Sequence, residues 1–400
     1  MNPVFAQPDQ RILFLDYLKA FIIILVVAHH SSLAYMSSAS YNYTNYLFSS
    51  APVVDVVRNQ WFYYFQAFND IFFMSLMFFI SGIFTFPSLQ KKGPWVFLKD
   101  RVIRLGIPFL IGVIIIAPVA YYPSYLVTGH QVSFWNYCLG EFFRNGWIPG
   151  PAWFLWVLLA FSIVVIPLAQ WFSGLLAALH RFSVRQGEGC QAVVVMIFLS
   201  LLVYVFASLI RPSPSASGWI SLGGPLWIQV NRAGLYFLFF LMGAVIGQRG
   251  LSQAKIFGPE SFVSRSYVWL LALALGLFIL KVRLSGSPEE GWRAWGGQTM
   301  RDTVSSGLFA MICVLTSLGL IGFFRRFMNH PSRLMDFFSV NAFLIYLVHY
   351  PFVIWIQYFL LPQTAWSSWA KFCIVFAGAL LASALTALLA RRLPGVQRIF

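Results

Sequence analysis

Charge is scarce in this sequence. Asp, Glu, Lys and Arg make up 10% of the 400 residues, against roughly a quarter in a soluble globular domain. Such a shortage excludes an ordinary water-solvated surface. Cysteine is scarcer still: Cys138, Cys190, Cys313 and Cys373 are widely scattered, with no C-x-x-C pair and no His at zinc-ligand spacing, so no metal site is expected. Acidic residues number 12 against 27 basic ones, for a net charge of +15. That excess needs no nucleic acid to explain it, because basic loops beside anionic lipid head groups produce the same imbalance. An internal repeat is also missing, which weighs against an inverted-repeat transporter.

What fills the space is apolar. Hydrophobic residues are 59% of the chain, and stretches of about 20 residues long enough to cross a bilayer fall at 13–35, 61–86, 102–122, 152–172, 191–210, 233–249, 264–284, 303–324, 338–361 and 371–390. The expected fold is therefore all-α, a polytopic integral membrane bundle of about ten transmembrane helices. Connections are short, so residues 1–400 read as a single transmembrane domain. Basic residues set the orientation. The termini and even-numbered connections hold seventeen, among them Lys91, Lys92, Lys99, Arg101, Arg104, Arg325, Arg326, Arg391 and Arg392, while the opposite side holds nine, including Arg232 and Lys371. Both termini should be cytoplasmic. The first stretch has a signal-peptide look, but nine more spans follow it and it reads as a retained helix. Three outward loops, 36–60, 123–151 and 211–232, are rich in Tyr, Trp, Asn, Ser, Gly and Pro, and aromatic residues there suit both membrane anchoring and sugar stacking.

The first span, RILFLDYLKAFIIILVVAHHSSLAYM, carries Asp16, Lys19, His29 and His30. Titratable groups at bilayer depth cost several kcal/mol each, so those that persist usually face a protein interior and carry function. At 100° per residue, Lys19 and His30 differ by about 20° and share a face, at a separation of about 16 Å along the axis. Asp16 lies about 60° round, close enough to pair with Lys19. His29 is turned about 80° away, and its replacement should be milder than that of His30.

Further along, FFMSLMFFISGIF follows Asp70 and offers Ser75, Ser81 and Gly82 for close helix packing. In KKGPWVFLKDRVIRLGIPFLIG, Arg101 and Arg104 are three apart on one expected helix face, with Lys91, Lys92 and Lys99 nearby. Paired guanidiniums at a helix start suit phosphate groups. GPAWFLWVLLAF places Trp153 and Trp156 at an interface, and SVNAFLIYLVHYPFVIW carries Asn341, Tyr346 and His349, the last two spaced to project together.

Taken in order, LDYLKA with its ten-residue gap from Lys19 to His30, FFISGIF, LKDRVIRLGIPF, PAWFLWVLLAF and NAFLIYLVHYP resemble the acyltransferase family 3 membrane proteins, a class that includes periplasmic-glucan succinyltransferases and polysaccharide O-acetylases. The likeness spans essentially the whole chain; it departs at Lys19, where many members carry Arg. It implies an O-acyltransferase of the bacterial inner membrane that moves an acyl group from cytoplasmic acyl-CoA, as acetyl-CoA or succinyl-CoA, to a hydroxyl of an extracytoplasmic glycan. His30, Lys19 and Asp16 would then be catalytic. Arg101 and Arg104 would hold the coenzyme A nucleotide at the cytoplasmic mouth while the pantetheine arm threads toward His30. Asn341, Tyr346, His349 and Trp153 would face substrate. His30 could act as general base or become acylated itself. The implied partners are membrane lipid, acyl-CoA and glycan, with no nucleic acid; a homo-oligomer is compatible with the sequence. A second reading uses His30, Asp16 and Asp70 as a proton relay in a transporter or flippase for an anionic or glycan substrate.

Overall fold

The structure is a computed structural model that describes residues 12–130, 132–171, 191–210, 218–248, 258, 260–286 and 297–396. Of the residues used above, Cys190 and the basic residues Arg11, Arg181, Arg185, Arg211, Arg249, Lys255, Arg293 and Arg398 lie outside these. In a hydrocarbon solvent every backbone polar group must find its partner within the protein, and the helix does this locally. The apolar stretches accordingly become α1 (Leu13–Ser32), α2 (Gln60–Ile83), α3 (Thr85–Val127), α4 (Trp153–Trp171), α5 (Gln191–Ile210), α6 (Val230–Gly247), α7 (Phe262–Ser285), α8 (Gly297–Phe327), α9 (Arg333–Leu360) and α10 (Ser368–Ala390). Among the described residues nine helices are long and apolar enough to cross a membrane, and within α5 Val193–Tyr204 forms a shorter apolar helix. The polytopic helical bundle read from composition is the fold observed. Side-chain caps mark several starts: Asn59, Ser261, Ser332 and Ser367 each accept a backbone N–H from the first turn of the helix they precede.

The chain's small sheet is a hairpin on the α6 lead-in, β1 (Trp219–Ser221) antiparallel to β2 (Trp227–Gln229), with Ile220 opposite Ile228. Its turn uses Gly223 and Gly224 at positive φ.

α3 departs most from the expected span at 102–122. It starts earlier, at Thr85, breaks at Gly93 (φ 74°, ψ 166°), and resumes at Pro94, a residue suited to a first turn because it lacks an N–H. Two π-turns follow, Val102–Gly106 and Gly112–Ile116. The second has a consequence for the backbone. The Ala117 N–H reaches back to the Gly112 carbonyl, and Pro118 has no N–H to offer, so the Val113 carbonyl loses both its helical donors. Trp147 Nε1 supplies the missing bond at 2.7 Å. Pro123 deprives the Val119 carbonyl in the same way, and Trp355 Nε1 donates to it at 3.0 Å.

Packing places α1 at the centre, against α2, α8, α9 and α10, whereas α7 turns Val268, Trp269, Leu273 and Leu275 outward. α2 and α6 meet backbone to backbone. A Cβ added to Gly243 would stand 2.0 Å from the Phe79 carbonyl oxygen, and one added to Gly82 would stand 2.1 Å from that of Phe240. These contacts bear out the close packing expected at Gly82, with Gly243 and Gly247 as its unforeseen counterpart.

Two basic residues counted above as connection charges belong to helices instead. Arg232, in α6, pairs with Asp70 of α2 at 2.6 Å. Lys371, in α10, is fully buried and pairs with Asp55 at 2.6 Å. A charge removed from water keeps its ionised form only beside a counter-charge, so neither is a free topological charge.

Candidate active site

α1 and α9 run side by side in parallel. The Tyr17 hydroxyl donates to Asp336 Oδ1 at 3.0 Å near one end, and His30 meets His349 near the other, both pairs separated by 319 positions. This constant offset makes one helix a ruler for the other. Tyr17 also accepts from the Ser332 N–H, which fixes the start of α9, and Gln357 Nε2 donates to the carbonyls of His30 and Ser31 at 3.1 and 3.2 Å, which fixes the end of α1.

Backbone carbonyls define the tautomers of the two imidazoles. His30 Nδ1 lies 2.9 Å from the Val26 carbonyl and 3.2 Å from His349 Nε2, while His349 Nδ1 lies 2.6 Å from the Tyr346 carbonyl. A carbonyl only accepts, so in neutral rings both Nδ1 atoms carry the proton. His349 Nε2 is then a lone pair that accepts from His30 Nδ1–H. The remaining nitrogen, His30 Nε2, is left as a free base with no partner among the described residues. His349 is fully buried, whereas His30 is only partly so. The Tyr350 ring stands edge-on to His30 at 5.0 Å, and its hydroxyl lies 3.3 Å from that of Tyr121.

Toward the start of α1, Lys19 pairs with Asp16 at 2.6 Å, as their spacing implied. Lys19 Nζ also sits 5.2 Å over the Phe84 ring, and Arg101 Nη2 lies 3.5 Å from Thr85 Oγ1. Lys19 and Arg101 thus converge on Phe84, the one residue between α2 and α3, and on Thr85, which starts α3. Arg104 does not join them. A π-turn spreads its residues round a wider circle than an α-turn, and Val102–Gly106 leaves Arg101 half-buried and Arg104 exposed.

Of the residues assigned to substrate, Tyr346 donates its hydroxyl to the Pro151 carbonyl and lines, with Gly112, Ile116, Ala152, Leu347 and Tyr350, a cleft beside the histidine pair. Asn341 lies deeper, its Nδ2 donating to the Phe337 carbonyl at 2.8 Å. Trp153 packs among Tyr236, Trp219 and Phe78 and makes no ring contact with either histidine. Tyr350 and Gln357 were not singled out in the sequence, although Tyr350 adjoins His349 in the same motif. Outward from Tyr350, the rings of Tyr121, Phe142, Tyr137 and Tyr46 form a separate aromatic cluster. Burial holds the Tyr46 and Tyr137 phenols well above the ordinary tyrosine range, so both remain protonated donors. Among the described residues no three His, Cys, Asp or Glu side chains gather as a metal-ligand set.

A free imidazole nitrogen inside a lipid-embedded bundle is the equipment of group transfer, and the class here is a multi-pass membrane acyltransferase. Residues 12–388 match the acyltransferase domain of the acyltransferase 3 family, and the chain belongs to that family. It is similar to the glucans biosynthesis protein C of Escherichia coli O1:K1 / APEC and of Escherichia coli O157:H7, each 27% identical over 376 residues that cover 93% of this chain and 89% of the relative. No solved structure matches significantly.

Proposed function

We propose that this protein is an O-acyltransferase of the bacterial inner membrane, with both termini cytoplasmic and residues 1–400 forming one domain. It transfers an acyl group, acetyl or succinyl, from cytoplasmic acyl-CoA to a hydroxyl of an extracytoplasmic glycan. The observation that carries this reading is the His30–His349 contact beside the Val26 carbonyl, in which His30 Nε2 is the one lone-pair nitrogen of the pair without a partner among the described residues. His30 Nε2 takes the proton of the acceptor hydroxyl as its oxygen attacks the thioester carbonyl. The tetrahedral intermediate then expels the coenzyme A thiolate, which recovers that proton from His30. A general base so placed contributes about 10²–10⁴ in rate. Lys19 and Arg101 hold donor phosphate groups at the α2–α3 junction, Asp16 holds Lys19 in place, and Arg104 serves only the outer rim of that mouth. Tyr346 and Tyr350 shape the cleft beside the reacting carbonyl, with Trp153 and Asn341 in supporting positions. The glycan acceptor is drawn from the printed names of the relatives and from the aromatic cluster beyond Tyr350.

The test is acyl transfer to a gluco-oligosaccharide by purified protein in proteoliposomes, with labelled acyl-CoA. His30→Ala should lose about two orders of magnitude or more in kcat. A well-folded variant that retains about a tenth of wild-type activity would remove His30 from the role of base.

A further inference from the structure

The proposed base stands where its helix stops. α1 ends at Ser32, just past His30, and the carbonyls of a last helical turn lack the donors that a further turn would supply. Part of the shortfall is met close by: Ser32 Oγ donates to the His29 carbonyl at 2.7 Å, and the Leu33 N–H reaches the His30 carbonyl. The rest comes from another helix. Gln357 Nε2, on α9, lies 3.1 Å from the His30 carbonyl and 3.2 Å from that of Ser31. Carbonyls only accept, and an amide nitrogen carries two N–H groups, so one side chain serves both. It does so away from water, since Gln357 is 2% and Ser31 0% exposed.

α9 therefore holds His30 at two points. Helical side chains lean toward the helix N-terminus, so the His30 ring turns back to the Val26 carbonyl and meets His349 Nε2 at 3.2 Å, while Gln357, two turns beyond His349, reaches the His30 backbone. A ring contact alone would leave the end of α1 free to shift. With that end pinned to the helix that carries His349, backbone and ring are both fixed with respect to α9, and so is the direction of His30 Nε2. Precision of this kind matters to rate, because a displacement of about 1 Å at a reacting group can cost ~10²-fold.

We propose that Gln357 is a positioning residue for proton transfer at His30: its amide holds the last turn of α1 so that the ring keeps its contact with His349 and presents Nε2 in one orientation. This rests on the acyl-transfer reading above. Gln357 acts on rate through His30 and has no part in donor binding, which the proposed function places at the opposite end of α1.

The experiment measures transfer from acetyl-CoA to a gluco-oligosaccharide by purified protein in proteoliposomes, and the imidazole nitrogen NMR spectrum of the same protein carrying isotope-labelled histidine, with the His30 signals assigned by their loss in His30→Ala. Gln357→Met, which keeps the length of the side chain and removes both N–H groups, should lower kcat by about 10–100-fold, the usual scale for a group that orients a reacting one. Its KM for acetyl-CoA should stay near wild type, and its His30 signals should shift or broaden. Gln357→Asn keeps the amide one methylene shorter and should lose less. Combined with His349→Leu, Gln357→Met should add little to the loss, because both act on the orientation of one ring. Wild-type kcat and unshifted His30 signals in Gln357→Met would overturn the inference, as would losses that multiply in the double variant or a fall in kcat matched by a rise in KM. If wild type transfers no acyl group, the transferase reading falls, and the His30 signals alone decide whether Gln357 holds the ring.

Discussion

At the scale of single residues, the proposed function turns on which nitrogen of which imidazole is free. Alignment with Lys19 distinguishes His30 from His29 in the sequence, the Val26 carbonyl one turn back fixes its tautomer, and His349, on a helix more than 300 positions away, shares the Nδ1–H and orients the ring. His349 is therefore expected to act on rate through orientation. His349→Leu removes one of the two acceptors of His30 Nδ1–H, the one that orients the ring from α9, and should lower kcat by about 10–100-fold, the usual scale for loss of a group that orients a histidine. The KM for acyl-CoA should stay close to wild type. His349→Gln keeps an oxygen acceptor and should restore part of kcat. A parallel loss of kcat and of donor affinity in both variants would show a general collapse of the cleft instead.

At the scale of elements, the π-turns of α3 decide more than its hydrophobicity does. The first carries Arg104, which is exposed where Arg101 just before the turn is half-buried, and the second exposes a carbonyl that ties Trp147, and with it the loop before α4, to the cleft wall. The indoles continue the connection, since Trp227 Nε1 donates to the Trp147 carbonyl and Trp156 Nε1 to that of Trp227. The difference in exposure of the two arginines yields a measurable asymmetry. A charge-assisted phosphate contact is worth about 1.5–3 kcal/mol, so Arg101→Ala should weaken acyl-CoA binding roughly tenfold or more. Arg104→Ala, whose side chain is exposed, should change it far less. A binding titration with acyl-CoA and 3′-dephospho-CoA checks this, and equal losses for the two variants would mean that the turn relaxes when donor binds.

At the scale of the whole molecule, a buried ion pair fastens the loop after α1 to the last helix. Lys371 and Asp55 have side chains 0% and 1% exposed, and Asp55 also organises its own loop by accepting the Val57 N–H at 2.8 Å. Removing one partner strands a charge, which costs about 3–5 kcal/mol in buried pairs, whereas replacing both by apolar residues of similar volume is often neutral. Lys371→Met should therefore lower the melting temperature of the detergent-solubilised protein markedly, and Asp55→Leu combined with Lys371→Met should recover most of the loss. A double variant as unstable as the single one would show that the pair also specifies the loop's path.

Composition alone determined that this chain is a membrane bundle, because apolar runs of bilayer length have no other stable state in lipid, and helical periodicity alone paired Asp16 with Lys19. Local rules reach as far as one helix. Whatever depends on two helices meeting was decided only by tertiary structure: the contact of His30 with His349 and the buried partners of Arg232 and Lys371. The physical reason is the same in each case. A polar group inside a bilayer takes its role from whichever distant side chain completes its hydrogen bonds, and that identity is set by the packing of the bundle.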